Sequence, residues 1–157
     1  MHGSIGDRDT SNFAKRLIVV VDDDAVVRVA LNRLVSAYGY AASTFATAEE
    51  YLLSDLVHNT DCLISDVQLP GMSGPDLQAR LIADGYRIPT VFITGLFSKT
   101  MQARVLKAGA VEYLAKPCNA KCLVACIEKA TERIAPSKPR RHPPRGKPAT
   151  ARPSDSA

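Results

Sequence analysis

Short apolar runs alternate five times with longer amphipathic stretches along the chain. The first run, Leu17 to Asp22, is apolar up to its last residue, as expected of a parallel strand that is buried on both faces. The runs predicted as the other strands are Tyr40 to Phe45, Cys62 to Asp66, Ile88 to Thr94 and Ala110 to Ala115. Helical stretches separate these strands, so the chain reads as a series of βα units. The pattern predicts an α/β fold, an open, doubly wound parallel sheet with right-handed crossovers.

Capping residues mark where the predicted helices begin. The capping or first-turn residues of helices one to five are Asp24, Thr47 with Glu50, Pro75, Leu96 or Ser98, and Asn119. The first helix is predicted to end at Gly39, the fourth at Ala108 and the fifth at about Ile134.

The composition is that of an ordinary globular domain: 157 residues, 46% of them hydrophobic. The longest uninterrupted apolar run is too short to cross a bilayer, and the N-terminus lacks the apolar segment of a signal peptide. We therefore expect a cytoplasmic protein without a membrane partner. Four cysteines in a reducing compartment are expected to be free thiols, and no Cys/His spacing matches a zinc site.

The net charge of +4 is unevenly distributed. Residues 136–157 hold six Lys/Arg, one Asp and six of the ten prolines, whereas residues 1–135 hold 14 basic and 15 acidic side chains. The body is therefore not a nucleic-acid binder on charge grounds. The tail has few large apolar residues to bury, which predicts disorder. The predicted organisation is a disordered leader (1–14), a folded domain (15–135) and a disordered, basic, proline-rich tail (136–157).

Charged and hydroxyl side chains that could bind a ligand or take part in a reaction lie at the predicted strand ends. Strand one ends in three carboxylates, strand three in Asp66, strand four in Thr94, and strand five is followed by Lys116. Ligands of such sheets bind beyond the carboxyl ends of the strands. A cluster of Asp22, Asp23 and Asp66 would repel itself by several kcal/mol without a cation, and carboxylates with open water positions suit Mg²⁺. Metal, lysine and hydroxyl around a carboxylate are what phosphoryl transfer to that carboxylate needs.

At these positions the sequence resembles the receiver domains of two-component response regulators. The matching stretches are LIVVVDDD (Leu17 to Asp24), LISDVQLPGMSG (Leu63 to Gly74), VFITG (Val91 to Gly95) and KAGAVEYLAKP (Lys107 to Pro117). The four motifs together, in this order and spacing, are specific. Within the family the chain is most similar to receivers that precede a helix-turn-helix output domain. The resemblance implies a flavodoxin-like (βα)5 fold with strand order 2-1-3-4-5.

The resemblance also implies a role for each site residue. Asp66 would accept the phosphoryl group from the phospho-His of a sensor histidine kinase. Mg²⁺ would be held by Asp22, Asp23 and Asp66 and by the backbone carbonyl of Gln68. The phosphate-binding lysine, the switch hydroxyl and the switch aromatic would be Lys116, Thr94 and Tyr113. Phosphorylation would draw Thr94 to the phosphoryl group, let Tyr113 turn inward and alter the face formed by helix four, strand five and helix five.

Two departures from the family pattern bear on output. Cys118 follows Pro117 where the family usually has Phe, which favours looser packing beneath helix five. The tail is too short and too polar for a helix-turn-helix module. We therefore expect a single-domain response regulator, a phospho-accepting switch rather than an enzyme. It would bind a downstream protein that the sequence does not identify, or form a homodimer, through that same face.

Two other folds with a strand-end site are alternatives. Asp22 to Val26 also fits the DxDx[TV] pattern of haloacid-dehalogenase-type phosphatases, whose nucleophile would be Asp22. That family's downstream acidic pair and cap insertion have no counterpart here. A flavodoxin-like cofactor binder is disfavoured because no phosphate-binding loop follows strand one and three aspartates would repel an anionic cofactor.

Two further patterns lie outside the four matching stretches. Cys118, Cys122 and Cys126 recur every four residues, which predicts a stripe along helix five. We interpret it as small apolar packing, with a redox-sensitive or metal-binding stripe as the alternative.

In the tail, Pro144 to Pro148 resembles the core of an AT-hook, so that Arg145 and Lys147 could enter a narrow minor groove. This gives the alternative function of a DNA-associated transcriptional regulator, although short basic tails are usually only solubilising.

Overall fold

A parallel sheet forms the centre of residues 15–132, the part of the chain that this computed structural model describes. Its strands are β1 (Leu17–Val21), β2 (Ala41–Phe45), β3 (Cys62–Asp66), β4 (Thr90–Thr94) and β5 (Glu112–Ala115). They lie in the order β2-β1-β3-β4-β5, and every neighbouring pair is parallel. The predicted doubly wound sheet with strand order 2-1-3-4-5 is confirmed.

Helices follow the strands and begin largely where the caps predict. They are α1 (Ala25–Ala37), α2 (Ala48–Leu53), α3 (Gly74–Ala83), α4 (Lys99–Lys107) and α5 (Ala120–Glu132), with a 3-10 turn at Val57–Asn59. Asp24 accepts a hydrogen bond from Val26 N, and Thr47 accepts one from Glu50 N. Of the two starts considered for helix four, the structure has the second, because Ser98 Oγ accepts from Met101 N.

Strands two, four and five begin later than predicted, and strands two and five do so for a shared reason. The amide of Tyr40 donates to Val35 O, and the amide of Ala110 donates to Val105 O. Both N–H groups therefore close the last turn of the preceding helix and are not available to the sheet. Gly39 directly precedes Tyr40, and Gly109 directly precedes Ala110. Each of these glycines has a positive φ, which lets the chain turn at the end of the helix.

The alternating residues of the strands divide the core between the two faces of the sheet. Ile18 and Val20 of β1 pack with residues of α1 and α5, while Val19 and Val21 pack with residues of α2 and α3. A third cluster joins Phe92 of β4 to α4. Because both faces are covered, the central strands are apolar throughout, and their carboxyl ends are left as the place where polar groups can meet.

Asp61 anchors β1 at the opposite, amino-terminal edge of the sheet. Its Oδ2 accepts from Leu17 N at 2.8 Å, and its own amide donates to Leu17 O at 2.8 Å. Arg16 lies 4.0 Å from Asp61 Oδ1. These contacts fix the pairing of β1 with the chain that enters β3.

Several expectations fall on residues outside 15–132. They are the leader (1–14), the basic tail (136–157) with Arg145 and Lys147, and the end of helix five near Ile134. Within the described residues, no helix is both long enough and apolar enough to cross a membrane.

Candidate functional site: an acidic cluster at the carboxyl edge of the sheet

The carboxyl ends of the strands bring the predicted site residues to one edge. Asp66 is the last residue of β3 and Thr94 the last of β4, while Asp22 and Lys116 directly follow β1 and β5. Since β1 and β4 both pair with β3, Asp66 stands on the central strand between them. The parallel topology therefore places residues that are distant in sequence around one carboxylate.

Three carboxylates form the centre of the site. One oxygen from each of Asp22, Asp23 and Asp66 lies within 4.8 Å of the others. Asp22 is fully buried and Asp66 is 6% exposed, whereas Asp23 faces solvent. Like charges at this separation repel strongly, so the arrangement requires a positive charge nearby.

Lys116 supplies one such charge. Its Nζ lies 2.9 Å from Asp22 Oδ2 and donates to Asp66 Oδ2 at 3.0 Å. Partial burial acts to lower the pKa of Lys116, but Asp22 and Asp66 together more than offset it, and the pKa is raised. The ammonium is therefore charged at every physiological pH.

The donor set fits a second, divalent cation. Asp22 Oδ2 is buried, and among the described residues its polar partner is Lys116 Nζ, with which it forms an ion pair at 2.9 Å. Asp23 makes no ion pair with Lys116, so within the described residues one ammonium balances a cluster of three carboxylates. Carboxylate oxygens in a cluster that carries more negative than positive charge are the ligands that Mg²⁺ prefers.

Gln68 is tied to Asp66 through its amide. Gln68 N donates to Asp66 Oδ1 at 3.1 Å. With Lys116 on Oδ2, both oxygens of Asp66 are therefore engaged, and the orientation of this carboxylate is fixed.

The side chains of Thr94 and Tyr113 both form hydrogen bonds with the loop after β4. Thr94 Oγ1 accepts from Leu96 N at 3.0 Å and lies 3.1 Å from Leu96 O, to which it donates. Tyr113 is only 2% exposed, and its hydroxyl accepts from Ser98 N at 3.1 Å. Phe97 packs edge-on against the Tyr113 ring, with centroids 5.0 Å apart. The inward turn of Tyr113 that was expected on phosphorylation is thus already made in this structure.

Gly74 allows α3 to begin against the acidic site. Its amide donates to Val67 O at 2.9 Å, and it is buried. A Cβ here would overlap the backbone oxygen of Asp66 and lie 3.0 Å from Phe92 Cε1 and from Ser65 Oγ. In the sequence, Gly74 stands out only as the last residue of the second matching stretch, although its place directly before Pro75 was a usable signal.

Two more residues near the site were not singled out from the sequence. Glu49 of α2 accepts from Met72 N at 2.8 Å and so holds the loop between β3 and α3. Arg28 of α1 donates from Nη1 to the backbone oxygen of Asp22 at 2.7 Å. Neither contact has a sequence signal, because a glutamate or arginine on a helix normally indicates a solvated face.

The predicted cysteine stripe is wrong in part. Cys118 lies before α5, so only Cys122 and Cys126 are on the helix, the first exposed and the second buried. Burial raises the pKa of Cys118, and it raises the pKa of Cys126 to about 11. Thiols that stay protonated and pack against the core of α1 and α5 fit the interpretation as small apolar residues.

A cavity of about 680 Å³ lies away from this edge. It is bounded by the end of α3, the start of β4 and the residues after α4, including Gln78, Tyr86 and Gly109. None of the predicted site residues lines it.

Asp23→Asn tests whether the acidic cluster is short of positive charge. Without metal, we expect the free energy of unfolding to rise by up to about 1 kcal/mol, because the exposed carboxylate that lacks a cation is removed. We also expect weaker Mg²⁺ binding, since a ligand charge is lost. Chemical denaturation and calorimetric titration measure the two effects.

Asp24→Asn is the matched control for charge, because Asp24 caps α1 and Asn caps equally well. An equal gain in stability in both variants would contradict repulsion within the cluster.

Comparison with known proteins agrees with this geometry. The family model described as response regulator receiver domain matches residues 18–128. Nodulation protein W of Bradyrhizobium diazoefficiens is 39% identical over 124 residues, covering 79% of this chain and 55% of its own. Response regulator protein TmoT of Ectopseudomonas mendocina is 36% identical over 134 residues, covering 85% and 60%.

Solved structures give the same result. A low-resolution structure of the response regulator StyR has a TM-score of 0.71 at 39% identity, with 76% of this chain and 61% of that chain covered. The crystal structure of FixJ-N has a TM-score of 0.70 at 31% identity, with 77% and 97% covered. The chain spans 55% of the length of the first of these two relatives and 60% of the second. Residues 18–128 account for most of the chain, and the chain belongs to the family of response regulator receiver domains, which are signalling switches rather than enzymes of the ordinary kind.

Proposed function

We propose that this chain accepts a phosphoryl group on Asp66 from the phospho-His of a sensor histidine kinase, in a reaction that depends on Mg²⁺. The observation that carries the proposal is the position of Asp66. It ends the central strand, its Oδ2 is bonded to Lys116 Nζ at 3.0 Å, and it lies within 4.8 Å of two further carboxylates.

The metal would be held by Asp22, Asp23 and Asp66 and by the backbone carbonyl of Gln68. When bound, Mg²⁺ neutralises charge on the transferring group. The buried Asp22 Oδ2, which shares the single ammonium of Lys116 with Asp66, supports this assignment.

The chain's own groups would act as follows. An oxygen of Asp66 attacks phosphorus, the bond between phosphorus and the imidazole nitrogen breaks, and its electron pair returns to the imidazole. Lys116 stays charged and neutralises the phosphoryl oxygens beside Asp66. Water later cleaves the acyl phosphate, which restores the carboxylate and releases inorganic phosphate.

The switch would run through the loop after β4. To bond a phosphoryl oxygen, the Thr94 hydroxyl has to leave Leu96, which exchanges two hydrogen bonds worth about 1 kcal/mol each for new ones. Leu96 precedes Phe97 and Ser98, both of which contact Tyr113. A shift of Thr94 is therefore transmitted to the start of α4 as a change in a pre-existing equilibrium.

The face of α4, β5 and α5 is the proposed output surface. The loop before α4 exposes the apolar Leu96 and Phe97 next to it, and α4 exposes Leu106 with the basic Lys99 and Lys107. A downstream protein or a second copy of the chain would bind there, and phosphorylation would set the affinity.

Labelling of the wild-type protein tests the proposal. Incubation with radiolabelled acetyl phosphate and Mg²⁺ should place an acyl phosphate, sensitive to hydroxylamine, on the peptide that contains β3. Omission of Mg²⁺ should prevent it. Label on the peptide that contains Asp22 would favour the phosphatase alternative.

A second candidate function rests on the charge of the tail, +5 over residues 136–157. If the tail binds DNA through phosphate contacts, log K should fall linearly with log salt at about −0.9 per contact, with a limit near −5 for six Lys/Arg. Removal of 136–157 should abolish binding and leave phosphorylation unchanged.

We expect weak binding without sequence preference. A preference for A·T-rich duplex that is lost in Arg145→Ala would show insertion into the minor groove and contradict that expectation. Lys147→Ala is the companion variant for the second proposed contact.

A further inference from the structure

We propose that Arg28 is a positioning residue for the metal site, which fixes the direction of the Asp23 carboxylate by holding the peptide group between Asp22 and Asp23. This inference rests on the proposed function, because it concerns the Mg²⁺ site of the phosphoryl acceptor.

The contact is short and lies at a critical point of the chain. Arg28 Nη1 donates to Asp22 O at 2.7 Å, and Arg28 is partly buried. Its side chain folds back from α1 over the loop that joins β1 to the helix. A hydrogen bond from a charged donor is roughly twice as strong as one between neutral groups.

The positive charge of Arg28 lies near the amino-terminal end of α1, where the helix itself does not stabilise it. A cation near the first turn of a helix opposes the helix dipole, which favours anions there. Among the described residues no carboxylate is in ion-pair contact with Arg28. The guanidinium therefore binds a carbonyl rather than neutralising Asp22 or Asp23, and both carboxylates stay available to another cation.

Asp22 is held by other groups as well. Its amide donates to Phe45 O at 3.0 Å, its Oδ1 accepts from Asp24 N at 2.9 Å, and its Oδ2 faces Lys116. Loss of the Arg28 contact alone therefore does not release the Asp22 side chain.

Asp23 differs from Asp22 in having no such support. It is exposed, and its carboxylate makes no hydrogen bond or ion pair with the side chains and backbone groups of residues 15–132. Because a peptide group is planar, the oxygen of Asp22 and the nitrogen and Cα of Asp23 lie in one plane. Holding that oxygen sets the direction in which Asp23 leaves the strand, and hence where its carboxylate meets those of Asp22 and Asp66.

A charge effect of Arg28 and a positioning effect of Arg28 predict opposite changes in Mg²⁺ affinity for the same substitution. Arg28→Met removes a positive charge next to an acidic cluster, which by itself strengthens Mg²⁺ binding. If Arg28 positions Asp23, the same change weakens Mg²⁺ binding by about tenfold, as expected for the loss of a group that orients a ligand. Arg33→Met is the matched control, since Arg33 is exposed on the same helix and carries the same charge.

The test is calorimetric titration of Mg²⁺ into the full chain and its variants. We expect weaker binding in Arg28→Met, wild-type affinity in Arg33→Met, and no further loss when Arg28→Met is added to Asp23→Asn. Equal or tighter binding in Arg28→Met overturns the inference, and so does an undiminished effect in the Asp23→Asn background. If wild-type protein itself does not bind Mg²⁺, the proposed function fails.

Arg28→Lys covers the case in which the methionine variant does not fold. It keeps the charge but loses the forked guanidinium and its reach. We expect Mg²⁺ affinity below that of the wild type, with an unchanged unfolding midpoint. Full wild-type affinity in Arg28→Lys would mean that charge alone matters, and would overturn the positioning role.

Discussion

Asp66→Asn should abolish phosphorylation by acetyl phosphate, with no label above background after times that saturate the wild type. The amide keeps the size of the side chain but is not a nucleophile of comparable strength, and it removes one of the three clustered charges. Lys116 would keep its ion pair with Asp22, so the fold should persist. Radiolabel incorporation and intact mass measure the effect, and circular dichroism verifies folding.

Asp55→Asn is the control, because Asp55 is an exposed aspartate in the segment after α2 and outside the cluster. It should label as the wild type does. Label that persists in Asp66→Asn at an acid-stable site, or that moves to Asp22, would refute Asp66 as the acceptor.

Gly74→Ala should lower the free energy of unfolding by about 3 kcal/mol or more, and slow phosphorylation in whatever protein folds. The added methyl meets the backbone oxygen of Asp66, which cannot move aside as a side chain could. Either α3 withdraws from the end of β3 or Asp66 shifts, and the second case moves the acceptor away from Lys116. Denaturant unfolding and the labelling rate report the two consequences.

Gly95→Ala separates this effect from the general effect of replacing a glycine. Gly95 has no atom within 4 Å of an added Cβ and lacks a positive φ. Its substitution should change stability by no more than about 0.5 kcal/mol. Similar losses at both positions would show that close packing against Asp66 is not the cause.

The parts of the site that depend on topology could be predicted from the sequence. Once the apolar runs were identified as parallel strands, Asp22, Asp66 and Thr94 had to meet at one edge, because parallel strands share their carboxyl ends. Caps such as Asp24 and Thr47 could also be predicted, since their hydrogen bonds span only two or three residues.

Contacts that depend on distances between separate elements could not be predicted in the same way. Glu49 reaches a loop 23 residues further along the chain, and Gly74 matters only because α3 packs against the end of β3. Arg28 is nearer in sequence to its partner, yet the bond depends on how the side chain folds over a loop. The starts of β2 and β5 were missed for a related reason, as one amide had to serve either the helix or the sheet.

The anchoring of β1 by Asp61 has a consequence for the opposite end of the strand. Because β1 is apolar on both faces, its side chains do little to prevent a slip of one residue along β3. Such a slip would move Asp23 into the buried position beside Lys116 and Asp22 into the fully buried position of Val21. Asp61, bonded to Leu17 on both its amide and its carboxylate, opposes that slip. A residue at the far edge of the sheet thereby helps to determine which of two neighbouring carboxylates stands beside Lys116.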